Sequence, residues 1–60
     1  MAEHQPHILV IDDDRDIRRS LGAYLSQHGF RTSTAANATE MDRLLATAGI
    51  DLVVLDVMMP

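Results

Sequence analysis

Two short apolar runs constrain this chain more than any other feature. Residues 8–11 (ILVI) and 52–55 (LVVL) are apolar at every position, rich in branched side chains, and followed directly by aspartate. A strand with one wet face alternates apolar and polar residues. A run that is apolar throughout belongs to a strand covered on both faces, as in a parallel sheet. The first run ends on Asp12, Asp13 and Asp14, and the second on Asp56. Carboxylates in bare contact repel one another, so a buried strand that ends on such charge needs something to neutralise it.

The sequence between the runs reads as two helices and one further strand. Residues 14–28 have helical spacing, with Ile17, Leu21, Tyr24, Leu25 and His28 on one stripe and Arg15, Arg18, Arg19, Ser26 and Gln27 elsewhere. Asp14 or Asp16 can cap the start of that helix and Gly29 can end it. Gly22 weakens its middle or permits a close packing contact. Residues 30–34 (FRTST) form a half-polar strand of the kind found at a sheet edge. Residues 37–48 form the second helix, with Asn37 and Glu40 resembling a capping box and Met41, Leu44, Leu45 and Ala48 as its apolar stripe. Gly49 ends it.

The order β-α-β-α-β implies a parallel sheet with right-handed crossovers. The half-polar strand belongs at an edge, so the apolar strands are neighbours and the spatial order is 2-1-3, with the helices on opposite faces. The carboxyl ends of the first and third strands then meet at the switch point, where open α/β sheets bind ligands. Those ends carry Asp12, Asp13 and Asp56. Met1 to Pro6 reads as a flexible lead-in.

Composition narrows the function. The chain has 60 residues, a formal charge of −4, five arginines, no lysine and nine acidic residues. That balance disfavours nucleic acid as a direct partner of this segment and fits a site that gathers cations. There is no cysteine, as suits a reducing cytoplasm, and the longest apolar runs fall far short of the roughly 20 residues that span a bilayer. A hard divalent cation is the natural counter-ion for clustered carboxylates. Mg²⁺ is held by one or two carboxylates together with phosphate oxygens, and a further carboxylate beside it can act as a nucleophile toward phosphorus.

The segments "ILVIDDD" and "DLVVLDVMMP" resemble the receiver domain of two-component response regulators, whose fold is flavodoxin-like. The resemblance covers nearly all of the chain and the N-terminal half of such a domain. It implies that Asp56 accepts a phosphoryl group from a sensor histidine kinase, without the chain being an enzyme in the ordinary sense. It implies that Asp13 is the acidic Mg²⁺ ligand, that Asp12 supports the metal through water, and that Asp56 and the backbone carbonyl of Met58 complete the set. Pro60 matches the proline that shapes the loop after the third strand. It also implies an output domain elsewhere in the protein, often a DNA-binding one that controls transcription. The family further uses a hydroxyl residue after a fourth strand and a lysine after a fifth, neither of which this sequence contains.

Competing readings are weaker. A calcium loop would need glycine where Ile17 stands and glutamate where Ala23 stands. The aspartate phosphatases that begin with D-x-D after a first strand would need an acid in place of Met58. Asn37-Ala38-Thr39 spells a glycosylation sequon, but helix capping accounts for it. His4, His7 and His28 have no mutual metal spacing and read as surface or packing residues. Arg15, Arg18 and Arg19 read as a solvated helix face or a kinase contact. The third strand, apolar and free of charge or proline, is expected to seek a partner, which could make a homodimer or an interaction module without phosphorylation.

Overall fold

The computed structural model describes residues 5–55. Its elements run β1 (His7–Ile11), α1 (Arg15–Gln27), β2 (Arg31–Ala35), α2 (Ala38–Thr47) and β3 (Leu52–Leu55). Both neighbours of β1 pair with it in parallel, giving the order β2-β1-β3 expected from the sequence. Leu9 stands opposite Ser33 on one side and Val53 on the other, while Ile11 stands opposite Ala35 and Leu55.

Alternate residues of β1 face opposite sides of the sheet. Leu9 and Ile11 join Ala35 in a buried cluster, against which Met41 and Leu44 of α2 and Ile50 pack. Val10 faces the other side, where Ile17 and Leu21 of α1 lie near it. The two helices therefore cover opposite faces, and every residue of β1 is buried.

The helix ends show why the strand and helix limits fall where they do. Asp14 is the N-cap of α1, its Oδ1 accepting from the Asp16 N–H at 2.8 Å and from the Ile17 N–H at 3.3 Å. At the other end Gly29 adopts φ 89°, a left-handed conformation that favours glycine. The Gly29 N–H donates to the Ser26 carbonyl and the Phe30 N–H to the Leu25 carbonyl, at 3.2 and 3.1 Å. Phe30 is thus consumed by the helix cap, so β2 begins one residue later than its composition suggests and runs on to the buried Ala35. In α2 the Glu40 N–H donates to Asn37 Oδ1 at 2.9 Å, as a capping box requires. The reciprocal bond is displaced by one residue, since Glu40 Oε1 accepts from the Ala36 N–H at 2.8 Å rather than from Asn37.

The seated stripe of α1 differs from the one its apolar residues mark out. Arg18, Leu21, Gly22 and Leu25 are half-buried, whereas Ile17 and Tyr24 are 44% and 59% exposed. The reason is that α1 leans over β2. A methyl group placed on Gly22 would meet Thr32 Oγ1 at 3.9 Å, and the Ser26 and Thr32 hydroxyls lie 3.2 Å apart. Arg18 is accordingly no member of a solvated face. On α2, Leu45 is also exposed rather than seated.

The lean leaves an open groove between α1 and the β3 side of the sheet. It has a volume of about 390 Å³ and is lined by Val10, Ile11, Asp12, Ile17, Leu21, Val54 and Leu55. All four residues of β3 are exposed, so the second apolar run is not covered on both faces within residues 5–55. No helix among the described residues is long and apolar enough to cross a membrane.

Candidate functional site

The carboxyl end of β1 carries two of the acids predicted for the site, Asp12 and Asp13. Asp12 continues the β1–β2 ladder by one residue, its N–H donating to the Ala35 carbonyl at 3.2 Å. Its side chain is almost fully enclosed, at 3% exposure. A carboxylate buried that deeply is stable only with hydrogen-bond donors around it. Oδ1 accepts from the Asp14 N–H at 2.8 Å, closing a turn across Asp13. Asp13, at the tip of that turn, is exposed. One aspartate is thus locked and its neighbour presented to solvent, while the third, Asp14, is spent on capping α1.

A further group closes over this turn. Arg18, one helical turn along α1, folds its side chain back so that Nη1 donates to the Asp12 carbonyl at 2.6 Å. The Arg18 N–H meanwhile makes the first helical hydrogen bond, to the Asp14 carbonyl at 3.1 Å. The sequence reading missed this contact. The only available signal was the spacing of an arginine six positions after Asp12, within reach of a strand end from the first turn of a helix.

The donor set suits a hard cation. Asp12 and Asp13 offer carboxylate oxygen at the end of a strand, and carboxylate oxygen is the ligand Mg²⁺ prefers. Among the described residues, no three acidic, histidine or cysteine side chains converge on a point that could hold a metal. Two carboxylates are within the usual complement for Mg²⁺, which retains waters and phosphate oxygens in its remaining positions. Asp56, Met58 and Pro60, the other residues predicted for the site and its loop, lie outside the described residues.

The opposite end of the sheet holds a second polar cluster. His7, read from sequence as a surface or packing residue, is 5% exposed and fully engaged. Its Nδ1 lies 3.0 Å from the Ala48 carbonyl, which can only accept, so Nδ1 carries the proton. Nε2 lies 2.7 Å from Ser33 Oγ. The His7 N–H donates to Asp51 Oδ2 and the Asp51 N–H returns the bond to the His7 carbonyl, both at 2.8 Å. These contacts tie β1, β2, the end of α2 and the entry to β3 at one place. They make His7 a structural junction rather than a ligand.

Comparison with known proteins agrees with this architecture. The family model described as "Response regulator receiver domain" matches residues 8–60. The chain is 43% identical over 58 residues to "Probable transcriptional regulator ycf27" of Cyanidium caldarium, covering 97% of this chain and 23% of that protein. It is 42% identical over 60 residues to "Protein PetR" of Rhodobacter capsulatus, covering 100% of this chain and 25% of that protein. "Regulatory protein VirG" of Agrobacterium tumefaciens is 37% identical over 55 residues, covering 92% of this chain and 21% of that protein. The chain thus spans about a quarter of the length of these relatives. No solved structure gives a significant match. This chain belongs to the response regulator receiver domain family.

Proposed function

We propose that this segment is the phospho-accepting part of a cytoplasmic response regulator, taking a phosphoryl group from a sensor histidine kinase onto Asp56. The observation that carries the reading is the register of the two apolar strands. Ile11 stands opposite Leu55, and the next residues in sequence are Asp12 and Asp56. The acids of the first strand and the acceptor thus follow adjacent strand ends.

In this reading a carboxylate oxygen of Asp56 attacks the phosphorus of a phosphohistidine. The new O–P bond forms as the P–N bond breaks, and the electron pair leaves with the imidazole nitrogen, which takes up a proton. Mg²⁺, when bound, would supply positive charge to the phosphoryl oxygens. Asp13, Asp56 and the Met58 carbonyl would hold the cation, and Asp12 would support it through water. Asp12 suits that supporting role because it is enclosed and already accepts a backbone N–H, whereas Asp13 is exposed. One relative is named a probable transcriptional regulator and another a regulatory protein, so the output of the whole protein is taken to be control of transcription through a further domain.

The intact mass after incubation with Mg²⁺ and a small phosphodonor tests this. One phosphoryl adduct is expected, absent from Asp56→Asn and from a metal-free sample. No adduct in folded protein would discard the reading.

A second reading, an interaction module that pairs through β3 without phosphorylation, is favoured by the exposure of all four β3 residues. Its occupant would be a second copy of the chain. A sedimentation profile that stays monomeric at high concentration would remove it.

A further inference from the structure

We propose that Arg18 is a positioning residue for the acid site, clamping the Asp12–Asp13 peptide so that both carboxylates are set for a divalent cation. The inference rests on the Mg²⁺ reading above and adds to it a residue outside the ligand set.

The argument starts from the geometry of one peptide group. The Asp12 carbonyl that accepts from Arg18 Nη1 at 2.6 Å belongs to the peptide between Asp12 and Asp13. That group is planar, so holding its C=O orients the whole peptide plane, restricting ψ of Asp12 and, with α1 holding the chain from Asp14 onward, φ of Asp13 as well. Those two angles decide where the two carboxylates point relative to each other. The bond is short and charge-assisted, which places it among the stronger kinds of hydrogen bond. A second bond, from the Asp14 N–H to Asp12 Oδ1 at 2.8 Å, closes the same turn from the side-chain direction. The turn is therefore held at both its carbonyl and its carboxylate.

Arg18 is distinguished from its neighbours by this contact. Arg15 and Arg19 are exposed, while Arg18 is half-buried and heads the seated stripe of α1. A solvated arginine would gain nothing from giving up that freedom, since a long side chain loses rotamer entropy when it is held. A guanidinium also has a planar fork of five N–H donors, which a lysine cannot reproduce. Arg18 thus couples the orientation of α1 to that of the acid turn.

A positive charge near a cation site also opposes the cation, and the two effects predict opposite signs when the arginine is removed. Outer-shell groups that orient metal ligands usually change affinity by about 10- to 100-fold. Positioning is therefore expected to outweigh screened repulsion at this partly exposed site.

The test compares Arg18→Met and Arg18→Lys with wild type in the intact protein. Met keeps the apolar stem and removes the donors and the charge, while Lys keeps the charge and an ammonium donor group without the planar fork. The Mg²⁺ dissociation constant is read by NMR titration, and amide exchange is read without metal. Met is expected to raise the dissociation constant about tenfold and Lys to recover part of the loss. Without metal, Met should speed exchange of the Asp14 amide while leaving the amide of Leu25, two turns along α1, unchanged.

Affinity that stays the same or tightens in Met would overturn the proposal, as would an Asp14 amide unmoved by the substitution. Wild type that binds Mg²⁺ beside an indifferent Met variant refutes only the role of Arg18. Wild type that binds no Mg²⁺ refutes the site and this role with it. Should Met fail to fold, Arg18→Gln carries the same expectations.

Discussion

β1 and β3 carry the same sequence signature and meet opposite fates. Each contains an apolar run of four residues followed by aspartate, yet every residue of β1 is buried and every residue of β3 is exposed. The difference lies in position rather than composition. β1 has a strand on either side and a helix over each face, whereas β3 has β1 on one side and an open groove beside it. An apolar run states that a strand requires cover; it does not state which part of the protein supplies it.

The largest expected effect separates the two strands directly. Leu9 and Val53 are partners across the ladder, the first fully enclosed and the second 37% exposed. Leu9→Ala removes methyl groups from the centre of the cluster with Ile11, Ala35, Met41 and Leu44. A loss of roughly 2–5 kcal/mol is expected, since the site cannot collapse around the cavity. Val53→Ala, judged only by the residues described, is expected to cost about 1 kcal/mol or less. Denaturant midpoints with unchanged slopes would measure both. If Val53→Ala in the whole protein costs as much as Leu9→Ala, then β3 is covered by parts of the protein beyond these residues, and the contrast between the strands disappears.

A smaller effect tests whether the amino end of the sheet is joined as the hydrogen bonds indicate. His7→Phe keeps an aromatic ring in the enclosed position but leaves the Ala48 carbonyl and the Ser33 hydroxyl without this partner. The expected cost is about 1–3 kcal/mol, the range for stranding a buried polar group. Ser33→Ala removes the other side of one bond and should cost less. The double variant is expected to be milder than the sum of the singles, because contacting partners couple. Strict additivity would mean that the 2.7 Å contact contributes nothing to stability.

Much of this architecture was legible because it depends on patterns with a short period. Apolar runs, capping residues and glycines at helix ends act within a few residues, so Asp14, Asn37, Gly29 and Gly49 fall where the sequence placed them. Strand order followed from the half-polar character of β2, because an edge strand tolerates what a central one does not. The placing of Asp12 and Asp13 at the end of β1 was legible for the same reason, as direct continuations of an apolar run. What sequence could not supply was the rotation of α1 about its axis. Its apolar stripe includes Ile17 and Tyr24, which face the groove or solvent, while Arg18 takes a seated place because its guanidinium reaches the Asp12 carbonyl. His7 was opaque in a similar way. Its partners Ser33, Ala48 and Asp51 lie 26 or more residues away in sequence, and only strand pairing brings them together.

The smallest expected effect concerns that rotation. Gly22 has ordinary negative φ within α1, and a methyl group there would meet only Thr32 Oγ1, at 3.9 Å. That is van der Waals contact without overlap. Gly22→Ala should therefore stabilise the protein by about 0.4–1 kcal/mol, because alanine loses less backbone freedom on folding into a helix. The sign is what matters. A stabilised variant shows that α1 can lean over β2 without needing glycine at the contact, so the lean is set by the Ser26–Thr32 hydroxyls and by Arg18. A destabilised variant would place the helix closer to β2 than the 3.9 Å separation allows. It would make the small residue, rather than the polar contacts, the reason that α1 leaves β3 uncovered.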